Sequence, residues 1–301
     1  MRAARGFSCA TWGSFPVCFP LAEGSFLALF PSAGRNAFRI PPLNGRLHAR
    51  ASDTASTHSV PARGFFTGHI ALLTAVIVLL YIIWVTYAER WLPTLLWWPV
   101  SLAASALIAI HYLPGFIPLR LFPWDLASAS PPIQMIWLPW DKALVALTLL
   151  AWWLRRPKQP LVSLDITALA FCLTFFVVPL LSIMTNAASW QPKWPDAFWW
   201  WLVLNVGVVS LAEEAFFRGL LQSQLIRWFG AWPGIIVATL AYAALHLLVN
   251  PVYALLAGIA GLGYGMVLHF SGRLSLAVLL HASINTLHFL LLSYPFRLIS
   301  E

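Results

Sequence analysis

From residue 63 onward the chain is a succession of long apolar runs, each broken by a few polar, Gly or Pro residues. Most runs approach the ~20 residues that an α-helix needs to cross a bilayer. This predicts helices at about 68–88, 92–113, 141–154, 162–185, 197–222, 233–249, 252–270 and 274–294. The expected fold is all-α, a polytopic transmembrane helix bundle of about eight spans. The third run is short for a span. The stretch 114–140 holds Pro114, Pro118, Pro123, Pro131, Pro132 and Pro139. It cannot be a regular helix, because each Pro removes a donor and crowds the preceding turn. It reads as a loop lying in the interface, a depth that suits Trp124, Trp137 and Trp140. The seventh run holds Gly258, Gly261, Gly263 and Gly265. Small residues let helix backbones approach closely in a membrane, so this helix is expected to be central and tightly packed.

Composition supports the membrane reading. Hydrophobic residues make up 60% of the 301 positions and charged residues only 9%, against roughly 25% charged in soluble domains. So few charges cannot cover a water-facing surface. The 17 Trp fit a chain with two membrane–water interfaces.

Residues 1–62 differ from the rest. They are rich in Arg, Ser, Pro and Gly, and only Glu23 and Asp53 are acidic. They are expected to be a disordered N-terminal tail or an overextended start of the reading frame. The apolar piece Ser25–Phe30 is too short for a signal-peptide core. Residues 63–160 are then accessory helices and the interfacial loop, and 161–296 the core. Cys9, Cys18 and Cys172 show no Cys-x-x-Cys spacing, so neither a disulfide framework nor a cysteine metal site is implied.

The formal charge of +8 does not point to nucleic acid. Seven of the 18 basic residues lie in the first 63 positions, and most others sit in short connections. That is a pattern of topology signals. Arg155, Arg156, Lys158, Arg227 and Arg273 fall on one side of an eight-span bundle, which the positive-inside rule makes cytoplasmic. The Arg-rich N-terminus then falls outside, in conflict with the same rule.

Against this background one segment stands out: Leu211-Ala212-Glu213-Glu214-Ala215-Phe216-Phe217-Arg218. Ionisable residues in a membrane helix are costly and mark functional sites. Adjacent residues on a helix point about 100° apart, so the two carboxylates serve different partners. Arg218 lies four residues after Glu214 and can pair with it. Glu213 has no local partner, and burial suits it to work as a general base or acid. A helix-end ion pair at the membrane surface is the plainer alternative. His246 lies late in the sixth run, where alone it would be a packed or interfacial residue. His281 and Asn285 stack at i, i+4 in the eighth. They form a pair suited to hydrogen-bonding a developing oxyanion. Converging these groups into one cavity satisfies all of them at least cost.

In order, Glu213-Glu214-x-x-x-Arg218, Tyr242-x-x-x-His246 and His281-x-x-x-Asn285 resemble the motifs of the CPBP (Abi, or CAAX-protease-like) intramembrane proteases, which include the type II CAAX prenyl endopeptidases. The resemblance covers about residues 162–294. It departs at Tyr242, where the family commonly has Phe. It implies that Glu213 activates the hydrolytic water and His246 shares or orients it. Glu214 and Arg218 would brace the site, while His281 and Asn285 stabilise the oxyanion. It implies a peptide or protein substrate in the bilayer, lipid-modified in some relatives, and a place in a bacterial inner (plasma) membrane.

The family has been described both as metal-dependent and as glutamate-dependent. No cofactor is favoured here. A zinc ion on Glu213, His246 and His281 would leave no protein base and would take His281 from its place beside Asn285. Two other functions compete: a non-catalytic membrane scaffold or immunity-type protein, and a transporter with a Glu–His relay. Nothing in the sequence selects the substrate.

Overall fold

The computed structural model describes residues 7–12, 15–20, 68–110, 116, 119–120, 137–157, 159–195, 198–248 and 250–293. Of the N-terminal tail, the described residues are two strands, β1 (Phe7–Trp12) and β2 (Phe15–Pro20), which pair with each other. In the proline-rich stretch, β3 (Leu119–Arg120) pairs antiparallel with β4 (Trp137–Leu138). Trp124 and residues 121–136 lie outside the described residues.

The rest is helical, as the hydropathy pattern predicts. In chain order come α1 (Gly68–Tyr87), α2 (Thr94–Ala109), α3 (Trp140–Leu154) and α4 (Leu164–Met184). These are followed by α5 (Phe198–Phe229), α6 (Ala231–His246), α7 (Pro251–Ser271) and α8 (Leu274–Leu291). Five helical segments among the described residues are long and apolar enough to cross a membrane, with α2 and α6 apolar but shorter. The chain is an integral membrane protein, an all-α polytopic bundle.

Its exterior and interior carry the polarity expected in lipid. Leu80, Leu95, Leu173, Phe176, Leu240 and Leu255 are more than half exposed, and a bilayer solvates such faces. The interior packs Trp97, Leu149, Leu220, Tyr264 and Leu280, but also Asn205, Ser210, Glu214, Arg218 and His281. Polar groups collect inside because lipid tails offer them no hydrogen bonds.

The end of α5 departs from expectation. The apolar pattern places it near 222, whereas the helix runs 32 residues to Phe229. It stops at Gly230, whose φ of 88° strains a residue with a Cβ. Two stretches of α5 are π-helical, Asn205–Ser210 and Ala215–Gln222, and only Leu211–Glu214 between them is regular α-helix. π-helical turns are rare and concentrate at functional sites. Here they flank the Glu213-Glu214 pair on both sides.

The polar groups lie toward one end of the bundle and the basic loops toward the other. Arg156 pairs with Glu89 at 3.6 Å, which joins the ends of α1 and α3. Arg156, Arg227 and His269 share a second cavity at that end. His246 closes α6, and Asn285 and His288 occupy the final turns of α8.

α7 is the packing hub that its glycines predict. A Cβ at Gly261 would stand 2.9 Å from Arg218 Nη2 and 3.0 Å from Tyr242, and one at Gly263 would stand 2.6 Å from Thr174 Cγ2. α7 thus approaches α4, α5 and α6 closely through bare backbone. Gly263→Val is expected to destabilise the bundle by about 1–3 kcal/mol through overpacking. Thr174→Ala should recover part of the loss, because it removes the group that the new side chain strikes. Thermal unfolding of the purified protein in detergent checks both, and an unchanged midpoint for Gly263→Val would contradict the close approach.

Candidate active site

Glu213 and Glu214 diverge, as adjacent residues on a helix must. Glu214 is fully buried and points into the bundle. Its Oε1 accepts a hydrogen bond from His281 Nδ1 at 2.8 Å, and its Oε2 lies 3.2 Å from Arg218 Nε. Arg218 in turn donates from Nη2 to the Gly261 carbonyl at 3.0 Å. Its guanidinium lies over Tyr242, 4.5 Å from the ring centroid, and 5.1 Å from that of Tyr264. One side chain therefore ties α5 to α6 and α7. Gly261 is bare where the guanidinium passes, and a side chain there would displace it.

Glu213 faces a cavity and keeps slight exposure, 14% of its side chain. Its charge is not left alone, as local spacing suggested: Lys142 Nζ of α3 stands 3.5 Å from Oε1. Its other oxygen, Oε2, accepts from the Tyr242 hydroxyl at 3.3 Å and lies 3.9 Å from His281 Nε2. The hydroxyl that distinguishes Tyr242 from the commoner Phe thus contacts Glu213.

The two histidines are held by different means. His281 donates its Nδ1–H to Glu214, which directs Nε2 toward Glu213. Its ring stacks on Tyr264 at 4.8 Å and 10°. His246 donates Nδ1–H to the Tyr242 carbonyl one turn back, at 2.7 Å, so its neutral tautomer carries the lone pair on Nε2. Its ring packs against Tyr242 and Tyr253.

Asn285 is oriented from α5. Its amide donates to Asn205 Oδ1 at 3.0 Å, and Asn205 donates to the Ala282 carbonyl at 3.1 Å. Asn205 lies in the first π-helical stretch, which links that distortion to the placement of Asn285.

Glu213, Tyr242, His246, Tyr264, His281 and Asn285 line one cavity of about 60 Å³, room for a few water molecules. Glu214 and Arg218 lie behind this wall. His288 also lines the cavity and donates from Nε2 to the Ser293 carbonyl at 3.1 Å.

Lys142, Asn205 and Tyr264 were not anticipated. Lys142 had a signal: with Asp141 it places two charges at the head of an apolar run, where ionisable residues are costly. Asn205 and Tyr264 act only through long-range packing, which local spacing does not register. As to a metal, among the described residues no three His, Cys, Asp or Glu side chains are grouped so as to hold one ion. Glu213, His246 and His281 line the same cavity without forming such a group.

These features gather a carboxylate, two histidines and an asparagine around one cavity inside the bundle. Residues 195–287 match the family model described as type II CAAX prenyl endopeptidase Rce1-like. Over that segment the chain is similar to the type II CAAX prenyl endopeptidases, which are proteases. The match spans α5, α6, α7 and most of α8. It does not reach α1–α4, and so excludes Lys142. No curated protein and no solved structure matches the chain.

Removing one partner from the Glu214–Arg218 pair leaves a buried charge uncompensated. Arg218→Ala is therefore expected to cost about 3–5 kcal/mol, seen as reduced yield and a lowered melting midpoint. Arg218→Lys should recover less than half of this, because an ammonium cannot reach Glu214 and Gly261 while lying flat on Tyr242. Wild-type melting for Arg218→Ala would show that the pair is not structural.

Proposed function

We propose that this protein is an intramembrane endopeptidase that hydrolyses a peptide bond of a membrane-associated substrate with water activated by Glu213. One observation carries the reading: a carboxylate with one oxygen paired to a cation and the other directed, with two histidines and an asparagine, at a water-sized cavity inside the bundle. The family match supports it.

In this reading Glu213 Oε2 takes a proton from a water in the cavity, and the water oxygen attacks the scissile carbonyl carbon. His246, with Nε2 as acceptor, orients that water. The carbonyl oxygen becomes an oxyanion held by Asn285 and by His281 when Nε2 is protonated. Glu213 then delivers the proton to the amide nitrogen as the C–N bond breaks. Negative charge moves from Glu213 to the oxyanion and back, so the net charge of the cavity is unchanged throughout. Glu214 and Arg218 stay fixed while this happens.

No step is routed through a metal. The substrate is a peptide or protein in the bilayer. Lipid modification, as in the prenylated substrates named in the family's description, is one form it can take. A bacterial inner membrane is the proposed setting.

Glu213→Gln keeps shape and removes the base. Cleavage of a quenched fluorescent, farnesylated peptide in proteoliposomes is expected to fall by at least ~10²-fold, with insertion preserved and the melting midpoint lowered only as far as the loss of one partner of the Lys142 pair requires. Activity should survive exhaustive chelation in protein free of stoichiometric zinc. Normal cleavage by Glu213→Gln would remove the mechanism. Loss on chelation with recovery on zinc would replace it with a metal-dependent one.

A further inference from the structure

We propose that Lys142 is a positioning residue for Glu213: its ammonium holds Oε1, so that Oε2 is the oxygen left to take the proton of the attacking water. The inference rests on the reading of Glu213 as the base. It extends the site to α3, which lies outside the family-matched segment.

The geometry is specific. Lys142 sits in the first turn of α3, and its side chain is 7% exposed against 14% for Glu213. A surface ion pair between flexible side chains contributes little. Here both partners are largely withdrawn from solvent, where charges interact strongly. The two oxygens of Glu213 are consequently unequal. Oε1 meets Lys142, while Oε2 meets the Tyr242 hydroxyl and faces His281 Nε2. A carboxylate free to rotate could present either oxygen to water. One held at Oε1 presents a single basic atom, which is the kind of orientation that lowers a barrier.

Charge balance points the same way. Among the described residues the buried and largely buried carboxylates include Asp141, Glu213 and Glu214; Asp141 accepts from the Lys142 backbone N–H at 2.8 Å, and the cations against the glutamate pair are Lys142 and Arg218. The remaining titratable groups facing Glu213 are Tyr242 and His246 of α6 and His281 of α8. Arg218 is committed to Glu214 and Gly261. Without Lys142, Glu213 would keep no cation within salt-bridge distance except His281 in its protonated form. During turnover the negative charge leaves Glu213 for the oxyanion, and the ammonium remains nearby to favour it. Helices that look accessory from the motif alone therefore complete the reactive centre.

The test uses the full chain in proteoliposomes with the farnesylated fluorescent peptide as probe. Lys142→Met should lower kcat roughly ten- to hundredfold, by analogy with the loss of outer partners that orient metal-binding side chains, with KM little changed. The acidic limb of its pH–rate profile should move to higher pH, because a carboxylate without its cation is harder to ionise. Lys142→Arg should restore most of kcat and return the limb. A separate arm needs no activity. In thermal unfolding, Lys142→Met combined with Glu213→Gln should be more stable than Lys142→Met alone, since the orphaned charge is gone. Additive effects in that cycle, or a kcat loss with an unmoved pH limb and no rescue by Lys142→Arg, would overturn the proposal. Coupled stabilities together with cleavage by Glu213→Gln would instead keep the ion pair and sink the reading of Glu213 as the base.

Discussion

Two adjacent carboxylates buried in a membrane bundle set the terms for everything around them. An isolated ion in an apolar interior is prohibitively costly. Each carboxylate must therefore meet a cation or strong donors from elsewhere in the chain. The helix sends the two in different directions, so they need different partners. Glu214 finds Arg218 one turn on and His281 from α8. Glu213 finds Lys142 from α3 and the Tyr242 hydroxyl from α6. The outcome is a division of labour in which one carboxylate is locked in the core and the other stands at a cavity.

The fold serves this arrangement at two places. α5 abandons regular helix on both sides of the pair, and the first distortion carries Asn205, which fixes Asn285. α7 has no side chain at Gly261, where the Arg218 guanidinium must lie, and offers its carbonyl there as an acceptor. In a bilayer the hydrophobic effect does little to join helices, so close packing and interior polar bonds bear most of the association. In this chain the same bonds build the proposed reactive centre. Stability and chemistry are thus coupled, and changes behind the cavity wall should be felt in both.

Much of this was legible in the sequence because it is local. The helices follow from runs of apolar residues near bilayer length, and the glycines of α7 marked it as a close-packing element. The i, i+4 relations Glu214–Arg218 and His281–Asn285 are fixed by helix geometry alone. What was hidden depends on contacts between distant segments. Lys142 lies 71 positions from Glu213, and nothing in the spacing of either predicts their meeting. The bond from Glu214 to His281, which sets the ring nitrogen facing Glu213, is equally long-range. The reach of α5 to Phe229 was missed because polar residues after position 222 resemble a helix end. In fact Gln222, Ser223 and Gln224 are buried in the bundle.

The family match supports the proposed class of chemistry, and the geometry suggests which atoms perform it. What enters the cavity is a question for the living membrane. Quantitative mapping of new peptide termini in membrane fractions tests the central claim most directly. Cells carrying the native protein are compared with cells carrying an equal amount of the Glu213→Gln protein. The account requires a defined set of termini present with the native protein and absent with Glu213→Gln. Identical termini in the two membranes would contradict it.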